Sequence, residues 1–232
     1  MIEEILLRLG GFALVVGLPL AFWRRLKRDV AELDDEVADM RSVPLVRLVD
    51  ITSDDVVRVV GRVAPEDALV TSPLSGQRCV AYEIALFLYG DHLPLVTGGD
   101  ATAFYLEDAG VRALVLPPYP IVVLSDRVNR VSGPDELPAA FQEWLEEAHA
   151  SDDWRREKKL RCVERRIDPG DLIALVGLCS REIDADGAGG GYRDAPSRLV
   201  FETAEGAPLS LSDDKSLLSP AAGAPDGKSV GG

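Results

Sequence analysis

Two β-branched runs set most of what this chain can become. Val56–Val63 reads VVRVVGRV, Cys79–Phe87 reads CVAYEIALF, and Ser72-Pro73-Leu74-Ser75-Gly76 lies between them. Branched side chains suit a pleated surface better than a helix, and Pro and Gly punctuate it. The stretch therefore predicts strand, tight loop, strand. The same grammar recurs downstream. Thr102–Glu107 and Val111–Leu116 pair as a hairpin across Asp108-Ala109-Gly110, and Leu160–Ile167 and Asp171–Arg181 flank the turn Asp168-Pro169-Gly170. Shorter runs at Leu69–Thr71, Ile121–Leu124, Arg127–Val131, Arg198–Thr203 and Pro208–Leu211 read as further strands. Leu45–Ile51 is an edge strand or a linker, and Gly98-Gly99-Asp100 reads as a turn. Cys79–Leu88 is long for one strand, so a bend or bulge is expected within it.

One segment breaks the pattern. Asp135–Ala150 places Leu137, Phe141, Trp144, Leu145 and Ala148 on one helical face. That face is expected to cover the open end of a barrel, with insertion into a bilayer as the alternative. Asp213–Leu218 reads as a last helical turn, and Ser219–Gly232 as a disordered tail. Many short strands with Gly, Pro and Asp turns give the fold class as mainly β. The expected form is a small OB-like barrel or sandwich with one inserted amphipathic helix, occupying residues 45–218.

Ahead of it, residues 1–23 read as a transmembrane anchor. Ile5–Trp23 carries a single charge, Arg8, and spans roughly 28 Å at the helical rise, about one hydrocarbon core. Trp23 stands at the expected interface, and Arg24, Arg25, Lys27 and Arg28 follow at once. A cleaved signal peptide fits poorly, because Glu3 and Glu4 lead the run and no small-x-small site closes it. The basic side stays cytoplasmic by charge asymmetry, which makes this a single-pass membrane protein with a cytosolic body. Trp23, Arg24, Arg25, Lys27 and Arg28 are the expected bilayer contact. Residues 24–43 form a basic juxtamembrane segment and helical stalk, where Leu26, Val30, Leu33, Val37 and Met40 fall on a heptad seam. The seam serves either a homodimer or packing against the chain's own domain, and Pro44 ends the helix on either account.

A net charge of −14 argues against a nucleic-acid binder that relies on a general phosphate-binding surface. Three cysteines (Cys79, Cys162, Cys179) and two histidines (His92, His149) show no metal-ligand spacing, so neither metal nor cofactor is expected. A second basic run, Arg155, Arg156, Lys158, Lys159 and Arg161, is a solvated loop or a headgroup contact.

The ordered motifs VVRVVGRV, SPLSGQRCVAYEI, FYLEDAGVRALV, CVERRIDPGDLIALVG and PLSLSDDKSLL resemble the GIDE, or "beside a membrane", family over about Val56–Leu218. That family occurs in membrane-anchored mitochondrial and plastid ubiquitin ligases and in many prokaryotic proteins. The ligases end in a RING with eight Cys/His zinc ligands, which three cysteines and two histidines cannot supply. A second transmembrane helix is also missing after Leu218. The resemblance therefore implies a membrane-apposed recognition or scaffold domain rather than a ligase. An unknown membrane-associated protein is the implied partner.

No constellation for bond-making chemistry stands out. Ser75 sits in a Gly-flanked loop, but GxSxG is absent and no histidine lies nearby in sequence. Ser72 and Ser75 are expected to bond their own loop backbone, with Gly76 at positive φ. Asp91-His92 lacks a third ligand, and Asp184–Gly191 lacks the later oxygens of a calcium loop. Glu107, Asp108, Glu164 and Asp171 read as turn caps rather than an acid/base pair. The expected binding surface is Ser72, Pro73, Ser75 and Gly76 with Glu107 and Asp108. The alternative function is a membrane-tethered hydrolase, or an accessory subunit of a membrane protease or stomatin-type assembly.

Overall fold

A computed structural model describes residues 37–52, 54–116, 121–148, 150, 152–183, 197–203 and 209–219. The expected anchor, the basic cluster Trp23–Arg28, most of the stalk, the loop Asp184–Gly191 and the tail from residue 220 lie outside the described residues. Among the described residues no helix is long and apolar enough to cross a membrane.

The body is mainly β and is built as two sheet systems. Strands β1 (Asp55–Pro65), β6 (Phe104–Asp108), β7 (Val111–Val115), β12 (Ser197–Glu202) and β11 (Leu172–Ile183) follow one another and close, because β1 also pairs with β11. The result is a closed five-stranded barrel, which leaves no free edge around its circumference. Closure needs one strand long enough to meet several partners. β11 pairs with β1 from Leu172 to Cys179 and with β12 from Leu178 to Ile183. It also pairs with β13 (Ser210–Ser212), which carries β8 (Ile121–Val123) in parallel. Alternating positions of β1, Val57, Val59 and Val63, turn inward to meet Phe104, Leu106, Val115, Phe201 and Leu175 in an apolar interior.

A second sheet was not foreseen as a separate layer. Its order is β5 (Val96–Ala101), β4 (Ala81–Leu88), β10 (Leu160–Ile167) and β9 (Val128–Ser132). The expected turn at Gly98-Gly99-Asp100 is instead the middle of β5. A Cβ at Gly99 would sit 2.1 Å from the carbonyl oxygen of Tyr82 across the ladder, so close backbone approach requires glycine there. The anticipated break in Cys79–Leu88 is real. β3 (Arg78–Cys79) pairs with β2 (Val70–Thr71), Val80 interrupts, and β4 begins at Ala81. Around that break the two cores meet: Val80, Ala81 and Ile167 join the barrel interior, while Cys79 and Tyr82 join the second core.

The helix is shorter than 135–150 and covers a different surface. It splits into a 3-10 turn, Pro134–Glu136, and an α-helix, Ala139–Glu147, with Pro138 between them. Phe141 and Leu145, both fully buried, pack with Leu160, Cys162, Ile84 and Leu86 on the second sheet. The barrel end therefore does not receive this helix. Leu45–Ile51 is likewise not a strand: it makes one isolated bridge, Leu45 to Arg58, and a 3-10 turn, Leu48–Asp50. Residues 213–218 turn once, with Leu217 N–H donating to the Asp214 carbonyl at 3.0 Å.

Residues 37–42 are helical, and their apolar face rests on the outer barrel wall. Met40 packs with Ala174, Val176 and Leu217, and Val37 and Val60 join them. The last two positions of the heptad seam are thus occupied by the chain's own domain.

Candidate functional site

The loop Ser72–Gly76 leaves β2 and returns in β3, and its backbone closes on itself. Ser72 N–H donates to the Gln77 carbonyl and Gly76 N–H to the Ser72 carbonyl, both at 2.9 Å. Gly76 adopts φ 71°, the left-handed conformation expected of it. Leu74 is buried and joins the second core, which plugs the loop into the sheet.

The hydroxyls go elsewhere than expected. Ser72 Oγ donates to Glu164 Oε2 at 2.6 Å and Ser75 Oγ donates to Glu164 Oε1 at 2.8 Å. Only a 3.2 Å bond from Gln77 N–H to Ser75 Oγ matches the local bonding that the sequence implies. Glu164 is fully buried in mid-strand β10 and is not a turn cap. A carboxylate removed from water needs its lone pairs filled, and two loop hydroxyls and a guanidinium fill them. Arg166 supplies the third bond, Nη1 to Glu164 Oε1 at 2.9 Å, and its Nε reaches Asp168 at 2.8 Å.

From there the network continues through the turn. The Asp168 N–H donates to Asp171 Oδ2 at 2.9 Å, and Arg127 Nη2 reaches the same oxygen at 2.7 Å. Arg127 also lies 3.8 Å from Asp213, whose other oxygen accepts from Ser125 N–H at 2.8 Å. Five chain segments are thereby tied together where barrel and second sheet meet. Burial lowers the pKa of Arg166, but its hydrogen bonds to Asp168 and Glu164 outweigh that, and the guanidinium stays firmly charged. Cys79, beside them and fully buried, is pushed up to about 12, chiefly by desolvation and then by the charges of Asp168 and Glu164. That thiol is inert at neutral pH.

The geometry bears on Ser75 as a nucleophile. Its hydroxyl donates to Glu164 Oε1, an oxygen that also accepts from Arg166 Nη1, so it is bound within the ion-pair network that joins the loop to β10. The loop's outward positions are Gly76, Gln77 and Arg78, all exposed, with Pro73 and Ser75 half-buried.

Glu107 and Asp108 lie on the barrel hairpin β6–β7. Glu107 pairs with Arg112 across it at 2.6 Å. Among the described residues no hydrogen bond or ion pair joins this hairpin to the serine loop, so the structure does not assemble the two into one contact network. The hairpin turns through Ala109 (φ 48°) and Gly110 (φ 84°), a two-residue loop of the kind that suits strand twist.

The remaining candidates scatter. Asp91 and His92 are both exposed, and among the described residues no group of three or more His, Cys, Asp or Glu is placed to hold a metal. Within the second basic run, Arg155 pairs with Glu146 and stacks over Trp154, and Arg161 lies 4.1 Å over the Phe87 ring. Trp144 stacks on Phe141 at 5.5 Å within the helix.

Sequence reading missed Arg127, Arg166 and Asp168 as members of the network and misassigned Glu164. One signal was available. Glu164 stands in phase with Leu160 and Cys162, a charged residue at a core position of a strand. Comparison with known protein families, with curated proteins and with solved structures finds no match for the chain.

Proposed function

We propose that this is a single-pass, membrane-anchored recognition or scaffold protein whose cytosolic GIDE-like, OB-like domain displays a fixed loop to a membrane-associated partner. The single observation that carries the reading is the double anchorage of the Ser72–Gly76 loop on buried Glu164. A loop held by two charge-assisted hydrogen bonds and a buried leucine presents Gly76, Gln77 and Arg78 in one conformation. Pre-organisation of that kind reduces the ordering cost of binding. Anchoring rests on the apolar run Ile5–Trp23 and the cluster Arg24, Arg25, Lys27 and Arg28. The family resemblance supplies the scaffold role, and its motif residues Ser72, Ser75, Glu164 and Asp168 are the ones that interlock.

The test is photocrosslinking in native membranes with the full chain, using a probe at Gln77. Wild type is compared with Arg78→Glu, an exposed change that leaves the serine–glutamate bonds intact. A discrete partner captured by wild type and lost in Arg78→Glu is expected. Equal capture by both removes the loop surface from the function.

A further inference from the structure

The second basic run comes to lie at one end of the second sheet. β10 begins there at Leu160, opposite Leu88 at the end of β4 and Ser132 at the end of β9. The turn from β4 to β5 leaves the same end, and its residues Tyr89–Leu93 are all exposed. Two of them are large and apolar: Tyr89 is 59% and Leu93 is 45% exposed. Cations stand beside this tip. Lys159 Nζ lies 5.3 Å from the Tyr89 ring centroid, and the Arg161 guanidinium covers the Phe87 ring. Val131, also exposed, is the cross-strand partner of Arg161 on β9.

Charge at this end runs against the rest of a chain that carries −14 overall. Arg155 and Arg156 are matched by Glu146 and Asp153. Lys158, Lys159 and Arg161 have no carboxylate partner among the described residues, and Arg161 Nε is buried without a hydrogen-bond acceptor. Asp91 and Glu157 are the exposed acids nearest them in sequence. Side-chain stems laid over aromatic rings hold their charged heads at the surface.

An exposed turn encloses nothing, so it does not suit a small ligand or a peptide that needs a groove. A bilayer needs no groove. Apolar side chains enter the boundary between headgroups and acyl chains, and neighbouring cations meet the phosphates. The cytoplasmic leaflet is the anionic one, which matches the sign of this surface.

We infer that this end of the second sheet is a membrane-docking face. Tyr89 and Leu93 enter the surface of an anionic bilayer, and Lys158, Lys159 and Arg161 bind its phosphates. The inference rests on the membrane placement proposed above and adds to it a second contact, one that fixes how the domain lies on the bilayer.

The test uses the full chain with Leu93→Cys carrying an environment-sensitive fluorophore, since Cys79, Cys162 and Cys179 are buried. The chain is reconstituted with vesicles of phosphatidylcholine, with or without phosphatidylglycerol, and vesicle flotation is recorded alongside emission. Emission is expected to shift to the blue with the anionic vesicles only. The shift should be lost in Lys158→Glu/Lys159→Glu, partly lost in Lys158→Gln/Lys159→Gln, and weakened by added salt. Equal emission in both lipids overturns the face, as does a shift that survives the charge reversal. A fluorophore at Gln77 that shifts as far as the one at Leu93 overturns it too. Flotation separates the two readings. A chain that floats with both lipids while the Leu93 probe stays in water keeps its anchor and refutes the face. A chain that floats only with anionic vesicles, and only with its lysines, supports the face and refutes the anchor. Flotation with neither refutes both.

Discussion

Glu164 and Arg58 are both buried charges in mid-strand, and the molecule treats them differently. Glu164 receives three bonds from Ser72, Ser75 and Arg166, and through Arg166 it joins a network reaching Asp213. Among the described residues, Arg58 Nε and Nη1 have no hydrogen-bond partner. The first sits where two sheet systems and a loop must be registered against each other, the second beneath the entry of the stalk. A buried charge with its bonds filled ties together the segments that fill them, while one left open carries its desolvation cost uncompensated.

Removing the filled charge is expected to give the largest loss. Glu164→Ala leaves two hydroxyls and a guanidinium facing an apolar gap and is expected to cost about 3–5 kcal/mol. Urea unfolding measures it, and a loss no larger than that of an ordinary surface change would dissolve the contrast with Arg58. The two serines then rank. Ser72 is fully buried and Ser75 is only part-buried, so Ser72→Ala should cost about 1–3 kcal/mol and Ser75→Ala roughly 1 or less. The reverse order would mean that Ser75 holds the loop.

A separate effect is read by pH. Burial and the neighbouring carboxylates raise the Cys79 thiol to about 12 from an ordinary 9.0. The folded state therefore keeps a proton that the unfolded state releases. The contribution is fully present below about pH 9 and is lost as pH rises toward 12. Stability should decline over that window less steeply in Cys79→Ala, and at pH 8 a thiol reagent should label Cys79 only as the chain unfolds. Rapid labelling of the folded protein would show that the pocket beside Glu164 is open.

Much of this β-domain was legible because its signals are local. Asp168-Pro169-Gly170 turns where Gly170 takes φ 91°, and Leu160–Ile167 is a strand with the bounds its alternation predicts. β5 was illegible because Gly99 is there for Tyr82, a residue on another strand. The helix was visible from its apolar spacing, but its docking surface depended on a second sheet whose existence no single segment announces.

The site divides the same way. Sequence alone determined the loop and the positive φ of Gly76, since turn chemistry acts over a few residues, while the packing of Leu74 into the second core belongs to the tertiary structure. Only the tertiary structure decided that Ser72 and Ser75 meet Glu164, 92 and 89 residues away, and that Arg58 faces a wall instead of water. Partners for buried charges are chosen by strand register across the whole chain. A one-residue slip in that register would turn Glu164 to the opposite face of its sheet.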